Sequence, residues 1–162
     1  MLPSTSAVTL EVITAQTVKA VIDLDVSPAQ RACVASNAVS IAQAHFDPAA
    51  WFRAVYAGGV PVGFVMLFDP TIPGGIMTDP VEPTDMVLWR LMIDRQHQGR
   101  GLGRATLDLV RDHIAGLGGF NRLLTSYVPV PAAPEPFYRA YGFTKTGRLW
   151  DNGTEVEMAL RL

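Results

Sequence analysis

At 162 residues the chain is long enough to bury a core without disulfide or metal staples, and it reads as one domain spanning 1–162. Apolar residues make up 49% of it, yet no uninterrupted apolar stretch is of membrane-spanning length, and a formal net charge of -2 offers no basic footprint, so neither a membrane nor a nucleic acid is an expected partner. Cys33 stands alone and His45, His97 and His113 follow no metal-ligand spacing, which excludes an internal disulfide and leaves no metal to expect.

Met1-Leu2-Pro3-Ser4-Thr5-Ser6 has neither the basic start nor the apolar stretch of a secretory signal, so a cytoplasmic location is expected. Val8, Leu10 and Val12 then alternate with polar residues as in a first strand with one buried face. Thr14 or Thr17 offers a cap for a short helix through Val18, Val21 and Ile22. Ser27-Pro28-Ala29-Gln30 combines an N-cap serine, proline at the first helical position and glutamine three residues after the cap, and predicts a second helix running towards Ala44.

Asp47-Pro48 reads as another short helical entry. Residues 52–56 and 60–68 read as two strands joined through Gly58-Gly59. Residues 69–85 carry four prolines and two glycines, which predicts a long loop of functional or mobile character ahead of the next strand, 86–93. After a glycine-rich turn, Leu102, Thr106, Leu109, Val110, Ile114 and Leu117 recur at helical spacing until Gly116, Gly118 and Gly119 stop the helix. A strand over 122–128, a proline-delayed helix around 137–141 and two strands flanking Asp151-Asn152-Gly153-Thr154 complete the chain. The connectivity predicts an α/β fold with helices on both faces of a mixed sheet.

The chemistry concentrates where the strand over 86–93 meets the helix that follows it. Gly99, Gly101 and Gly103 leave the backbone free of side-chain walls, so successive N–H groups can converge on an anion as the helix opens, with Arg100 and Arg104 adding positive charge. An ordinary strand-to-helix turn is the plain alternative. A Walker loop is excluded because no Gly-Lys precedes a Ser or Thr, and G-x-G-x-G is not the dinucleotide fingerprint G-x-G-x-x-G.

Gln98-x-x-Gly101-x-Gly103 after Val87-Leu88-Trp89-Arg90-Leu91-Met92-Ile93 resembles the acetyl-CoA signature of the GNAT N-acetyltransferase superfamily. Phe137-Tyr138-Arg139-Ala140-Tyr141-Gly142-Phe143 resembles that family's late helix and its closing turn, and the element order agrees over nearly the whole chain. The resemblance implies a GNAT-type, mostly antiparallel central sheet with a splayed parallel strand pair, 86–93 and 122–128. It implies an acyl-CoA-dependent N-acetyltransferase using acetyl-CoA as cosubstrate. Leu91, Met92 and Ile93 would meet the pantetheine arm, and Gln98, Gly99, Arg100, Gly101, Leu102, Gly103 and Arg104 would cradle the diphosphate. Tyr138 would occupy the place of the family's general acid, facing the departing sulfur.

The general base is where the chain departs from the family. Many members carry a carboxylate on the central strand at the position of Trp89, with Arg90 beside it here. Glu82 and Asp85 on the preceding loop, or a water relay, are the expected substitutes, and Asp94 is expected to fix the loop instead. Asp25-Val26-Ser27-Pro28-Ala29-Gln30, Val62-Gly63-Phe64 and Arg90-Leu91-Met92-Ile93-Asp94 resemble the family's bacterial diamine and spermine/spermidine acetyltransferases. A small-molecule primary amine, with a polyamine as the sharper form, is therefore the expected acceptor, and Asp23, Asp25, Glu82 and Asp85 are either its remote anchors or surface charge. A peptide or protein acceptor (N-terminus or lysine), an aminoglycoside-like amine and a non-catalytic CoA-binding module stay open. A homodimer is expected through the C-terminal strands, where Trp150 sits.

Overall fold

The computed structural model describes residues 7–162; residues 1–6, the segment expected to carry no secretory signal, lie outside the described residues. In chain order the elements are β1 (Val8–Glu11), α1 (Val18–Ile22), a 3-10 turn (Pro28–Gln30), α2 (Asn37–His45), β2 (Ala50–Ala57), β3 (Val60–Phe68), β4 (Asp85–Ile93), α3 (Leu102–Leu117), β5 (Arg122–Tyr127), α4 (Glu135–Tyr141), β6 (Thr144–Trp150) and β7 (Glu155–Arg161). They build one seven-stranded sheet in the order β1-β2-β3-β4-β5-β7-β6. Every neighbouring pair is antiparallel except β4 and β5. Among the described residues no helix is long and apolar enough to cross a membrane.

The alternation of β3 explains why both faces are covered. Val65 and Leu67 point into a core shared with Leu107, Val110 and Ile114 of α3, whereas Phe64 and Met66 point into a core shared with Val21 of α1 and Ala44 of α2. Each fully buried aliphatic side chain of α3 contributes roughly 1.5–3 kcal/mol of transfer free energy. The buried stripe of α3 differs from the expected one at Leu107, Leu109, which is only half-buried, and Leu117. Leu107 is fully buried, and Leu117, in the last turn, is 53% exposed.

The helix expected from Ser27 to Ala44 is broken. The Ser27 N–H does donate to Gln30 Oε1 at 3.2 Å, but the box closes only a single 3-10 turn, and α2 starts afresh where the Ser36 hydroxyl accepts the Val39 N–H at 3.3 Å. Asn37, 2% exposed, anchors this second start by donating to the Val21 carbonyl at 2.9 Å. The gap between the two turns is useful: Arg31, Cys33 and Ala35 form part of the wall of the main cleft. Asp47-Pro48 opens no helix either, since the Asp47 carboxylate accepts N–H groups from Ala49 at 2.9 Å and from Ile76 at 3.2 Å and so ties the long loop to the start of β2.

Candidate active site

The parallel pair at the middle of the sheet separates soon after it forms. Asp85, Met86 and Val87 lie in register with Arg122, Leu123 and Leu124, and beyond that point β4 and β5 share no ladder. Thr125 marks the fork, its hydroxyl donating to the Leu88 carbonyl at 3.2 Å. On its other side β4 stays paired with β3, but the register jumps from Met66↔Arg90 to Leu67↔Leu88, so Trp89 is the extra residue of a β-bulge. A bulge breaks the alternation of side chains. Leu88 and Leu91 pack on the α3 side, whereas Trp89 meets Phe68 and Arg90 reaches Gln43 of α2 on the other.

The splay opens into a cleft of about 1210 Å³ whose floor is the free edge of β4. Leu91, Met92 and Ile93 line it, as expected for the strand that would meet an extended arm. At its mouth lies the glycine loop. The loop is held from below: Asp94 Oδ2 accepts the Asp25 N–H and Asp94 Oδ1 the Gln96 N–H, both at 2.9 Å, so the loop-fixing role expected of Asp94 is what the geometry shows. Gln98 serves the same end, its side-chain amide donating to the Ile93 carbonyl at 2.9 Å and to Gln30 Oε1 at 3.0 Å.

With the loop so fixed, its N–H groups are left over. Among the described residues no backbone N–H from Gln98 to Arg104 donates to a protein acceptor, and the first intrahelical bond here is from Ala105 to the Gly101 carbonyl at 3.0 Å. Gly99 and Gly101 have φ of 76° and 75°, and a Cβ added at either would meet nothing within 4 Å. Free donors at a helix start facing open space fit a diphosphate. Gly103 serves a different purpose, because a Cβ there would come within 3.0 Å of the Phe137 ring, so it lets α3 approach α4 closely. Of the two arginines, Arg104 lines the cleft, stacked over Tyr141 at 5.3 Å, whereas Arg100 lies outside the cleft wall and turns back to the Gln96 carbonyl at 3.3 Å. The structure thus brings the Arg104 side chain, and not that of Arg100, to the cleft.

Tyr138 lines the same cleft from α4, wedged between the rings of Phe137 and Phe143 at 5.3 and 5.2 Å and 5% exposed. Burial pushes its phenol up to about 12, with the Thr125 hydroxyl opposing the rise. It therefore stays protonated through the whole physiological range.

The acceptor side requires the larger correction. Neither Glu82 nor Asp85 lines the cleft. Asp85, 2% exposed, sits at the start of β4 and is gripped by Arg122 Nε at 3.0 Å and Nη2 at 2.6 Å, which occupies both carboxylate oxygens in holding the two parallel strands together. Asp23 and Asp25 are equally committed, to Lys19 at 2.6 Å and Arg31 at 2.7 Å, and lie outside the cleft wall, so no channel of remote ammonium anchors forms from these four acids. The carboxylates that do line the cleft are Asp79, Asp151 and Glu155. Ser126 Oγ and Glu155 Oε2 are 2.5 Å apart, which ties the last of these to the splay itself. Their proximity follows from β7 lying between β5 and β6, which no local sequence signal announces. The long loop contributes residues 76–79 to the wall, pinned where the Asp151 N–H donates to Asp79 Oδ1 at 3.1 Å and Arg148 donates to the Pro80 carbonyl at 2.8 Å.

Asp85→Asn is accordingly expected to lower unfolding free energy by about 1–3 kcal/mol in urea titrations, since Arg122 loses its charged partner but can still reach water. The pH dependence of turnover should keep its shape. A flattened profile would restore Asp85 as a base.

Trp150, in one of the C-terminal strands through which a homodimer is expected, is turned inward, 4% exposed, with its indole N–H donating to the buried Glu157.

A family model described as the acetyltransferase (GNAT) family matches residues 18–143. The chain is 27% identical over 157 residues to the spermine/spermidine N(1)-acetyltransferase of Bacillus subtilis, covering 93% of this chain and 96% of that protein. It is 26% identical over 91 residues to the L-2,4-diaminobutyric acid acetyltransferase of Streptomyces coelicolor, covering 56% of this chain and only 48% of that one. Its fold is similar to that of an acetyltransferase from Thermus thermophilus, with a TM-score of 0.71, 23% identity and 96% and 97% of the two chains covered.

Proposed function

The chain belongs to the acetyltransferase (GNAT) family, and on that premise we propose that it moves an acetyl group from acetyl-CoA to the primary amine of a small molecule by direct attack. The observation that carries this reading is the run of unpartnered N–H groups from Gln98 to Arg104 at the mouth of a cleft that Tyr138 lines from within. The cosubstrate supplies an activated thioester. The residues of this chain do the rest: the loop binds the diphosphate, the free edge of β4 aligns the arm, and Tyr138 presents an O–H to the departing sulfur. A cleft walled by the pinned segment 76–79 favours a compact acceptor over a peptide lying in an open groove.

An alkyl amine with a pKa near about 10 must lose a proton before it attacks. Glu155 replaces Glu82 and Asp85 as the group that receives it, through a bridging water, because the Ser126 hydroxyl already occupies one of its oxygens. Glu155→Gln is expected to lower kcat/KM at pH 7 by about 10²-fold and to recover part of the loss at high pH, where free-base amine is abundant. An unchanged profile would remove Glu155 from the proton path.

A thiol-release assay with acetyl-CoA against small primary amines and short peptides tests the whole reading. Turnover of small amines is the expected result. Turnover of peptides alone would move the activity to a macromolecular acceptor, and tight CoA binding with turnover of neither would make the domain a non-catalytic module. The resemblance to the B. subtilis enzyme supports a polyamine as one acceptor to include in that panel.

A further inference from the structure

Arg90 is the residue of the acceptor side that the reaction does not explain. The bulge at Trp89 turns it away from the α3 core and places it in the cleft wall against Gln43. There its guanidinium is served by neutral oxygens only: Nη1 donates to the Trp89 carbonyl at 3.0 Å and Nη2 to Gln43 Oε1 at 3.2 Å. Nε is buried without a partner. Among the described residues no carboxylate comes within salt-bridge distance of it. Glu155 contributes a favourable charge at longer range, too weak to offset the burial that pushes the guanidinium below its ordinary range.

A partly buried cation without a counter-ion is costly to the folded protein, and structures that keep one usually complete it with an anion. The planar guanidinium fork matches a carboxylate. Among the described residues none of the wall's carboxylates, Asp79, Asp151 and Glu155, is within salt-bridge distance of Arg90, so an ammonium and a carboxylate can each find an opposite charge in the one cleft. A plain diamine or polyamine has no anion to offer Arg90. An amine that carries its own carboxylate meets the opposite charge at both ends.

We propose that the acceptor is an amino-acid-like amine, whose carboxylate pairs with Arg90 while its amine lies towards Glu155 and the splay. This inference rests on the acetyl-transfer reading given above and narrows it to a substrate class, with Arg90 as the residue that determines specificity.

Matched acceptors that differ only in a carboxylate test it: ornithine against putrescine, and lysine against cadaverine, each followed by thiol release at saturating acetyl-CoA. The carboxylated member should have a KM lower by at least about tenfold in each pair, the effect of one charge-assisted pair. Arg90→Gln should bring the ratio to about one by raising the KM of the amino acid. Arg90→Lys, which keeps the charge and loses the fork, should retain part of it. Unchanged acetyl-CoA binding shows that both variants are folded. Equal or better use of the plain diamines by the unsubstituted enzyme overturns the proposal and leaves acetyl transfer to small amines intact. A ratio unmoved by Arg90→Gln also overturns it. Lack of turnover of every member of both pairs and of the wider amine panel sinks the acetyl-transfer reading, and this inference with it.

Discussion

Tyr138→Phe is expected to lower kcat by about 10²-fold while changing the KM for acetyl-CoA by less than about threefold. The phenol has been pushed up to about 12 by burial, whereas an alkyl thiol ionises near about 8.5. Complete transfer of the proton from Tyr138 to the departing thiolate is then uphill by about 3.5 pKa units, or about 5 kcal/mol. On the proposed reading Tyr138 would act by donating a hydrogen bond as charge grows on sulfur, with the net proton coming from the amine. The active form is the neutral phenol, its ionisation is displaced upwards, and so Tyr138 imposes no alkaline decline below about pH 11. Rate measurements from about pH 6 to 10 should rise and level without a falling limb that phenylalanine removes. Full activity of Tyr138→Phe across that range would reduce Tyr138 to a packing residue between Phe137 and Phe143. Its effect on stability should be small, below about 1 kcal/mol, because the ring is retained and only the hydroxyl contact near Thr125 is lost.

What the sequence makes legible is what depends on neighbours in the chain. The hairpin at Gly58-Gly59 and the turn at Asp151-Asn152-Gly153 are written in residues that adopt positive φ, and both appear where expected. The glycine loop is readable for the same reason, since its donors and its alternating glycines lie within one short stretch of chain. The helix expected from Ser27 stops short because a capping box specifies how a helix begins and says nothing of how far it runs. Asn37 held by Val21, a contact between segments, starts α2 where it does. The acids fail in the same way. Asp85 lies near the strand's beginning, but only the pairing of β4 with β5 reveals that Arg122 stands opposite it. Glu155 carries no local signal at all, because it enters the cleft through the sheet order, far along the chain from the loop where a base was expected. Arg90 is visible beside Trp89, but the bulge that turns both residues to one face depends on the register with β3.

Gly101→Val should raise the KM for acetyl-CoA by about 10²-fold or more with kcat little changed at saturation, and the comparison with Gly103→Ala makes the result diagnostic. At Gly101, with φ of 75°, a side chain is disfavoured by roughly 1–2 kcal/mol, more when β-branched. The Cβ itself touches no protein atom, so the strain falls on the loop and the added bulk falls in the space in front of the free N–H groups. Losing one charge-assisted hydrogen bond to a phosphate oxygen costs about 1.5–3 kcal/mol more, and the two effects together correspond to about 10²–10⁴ in affinity where the loop strain is felt on binding. At Gly103 the added methyl would press on the Phe137 ring at 3.0 Å. Phe137 is the neighbour of Tyr138 in α4, so this strain should appear as lowered stability and a lower kcat with little change in the KM for acetyl-CoA. The two glycines, two residues apart in one motif, should then fail in different kinetic constants. Equal rises in KM would mean that the diphosphate contacts both positions, and an unchanged KM for Gly101→Val would place the phosphates elsewhere than on the N–H groups from Gln98 to Arg104.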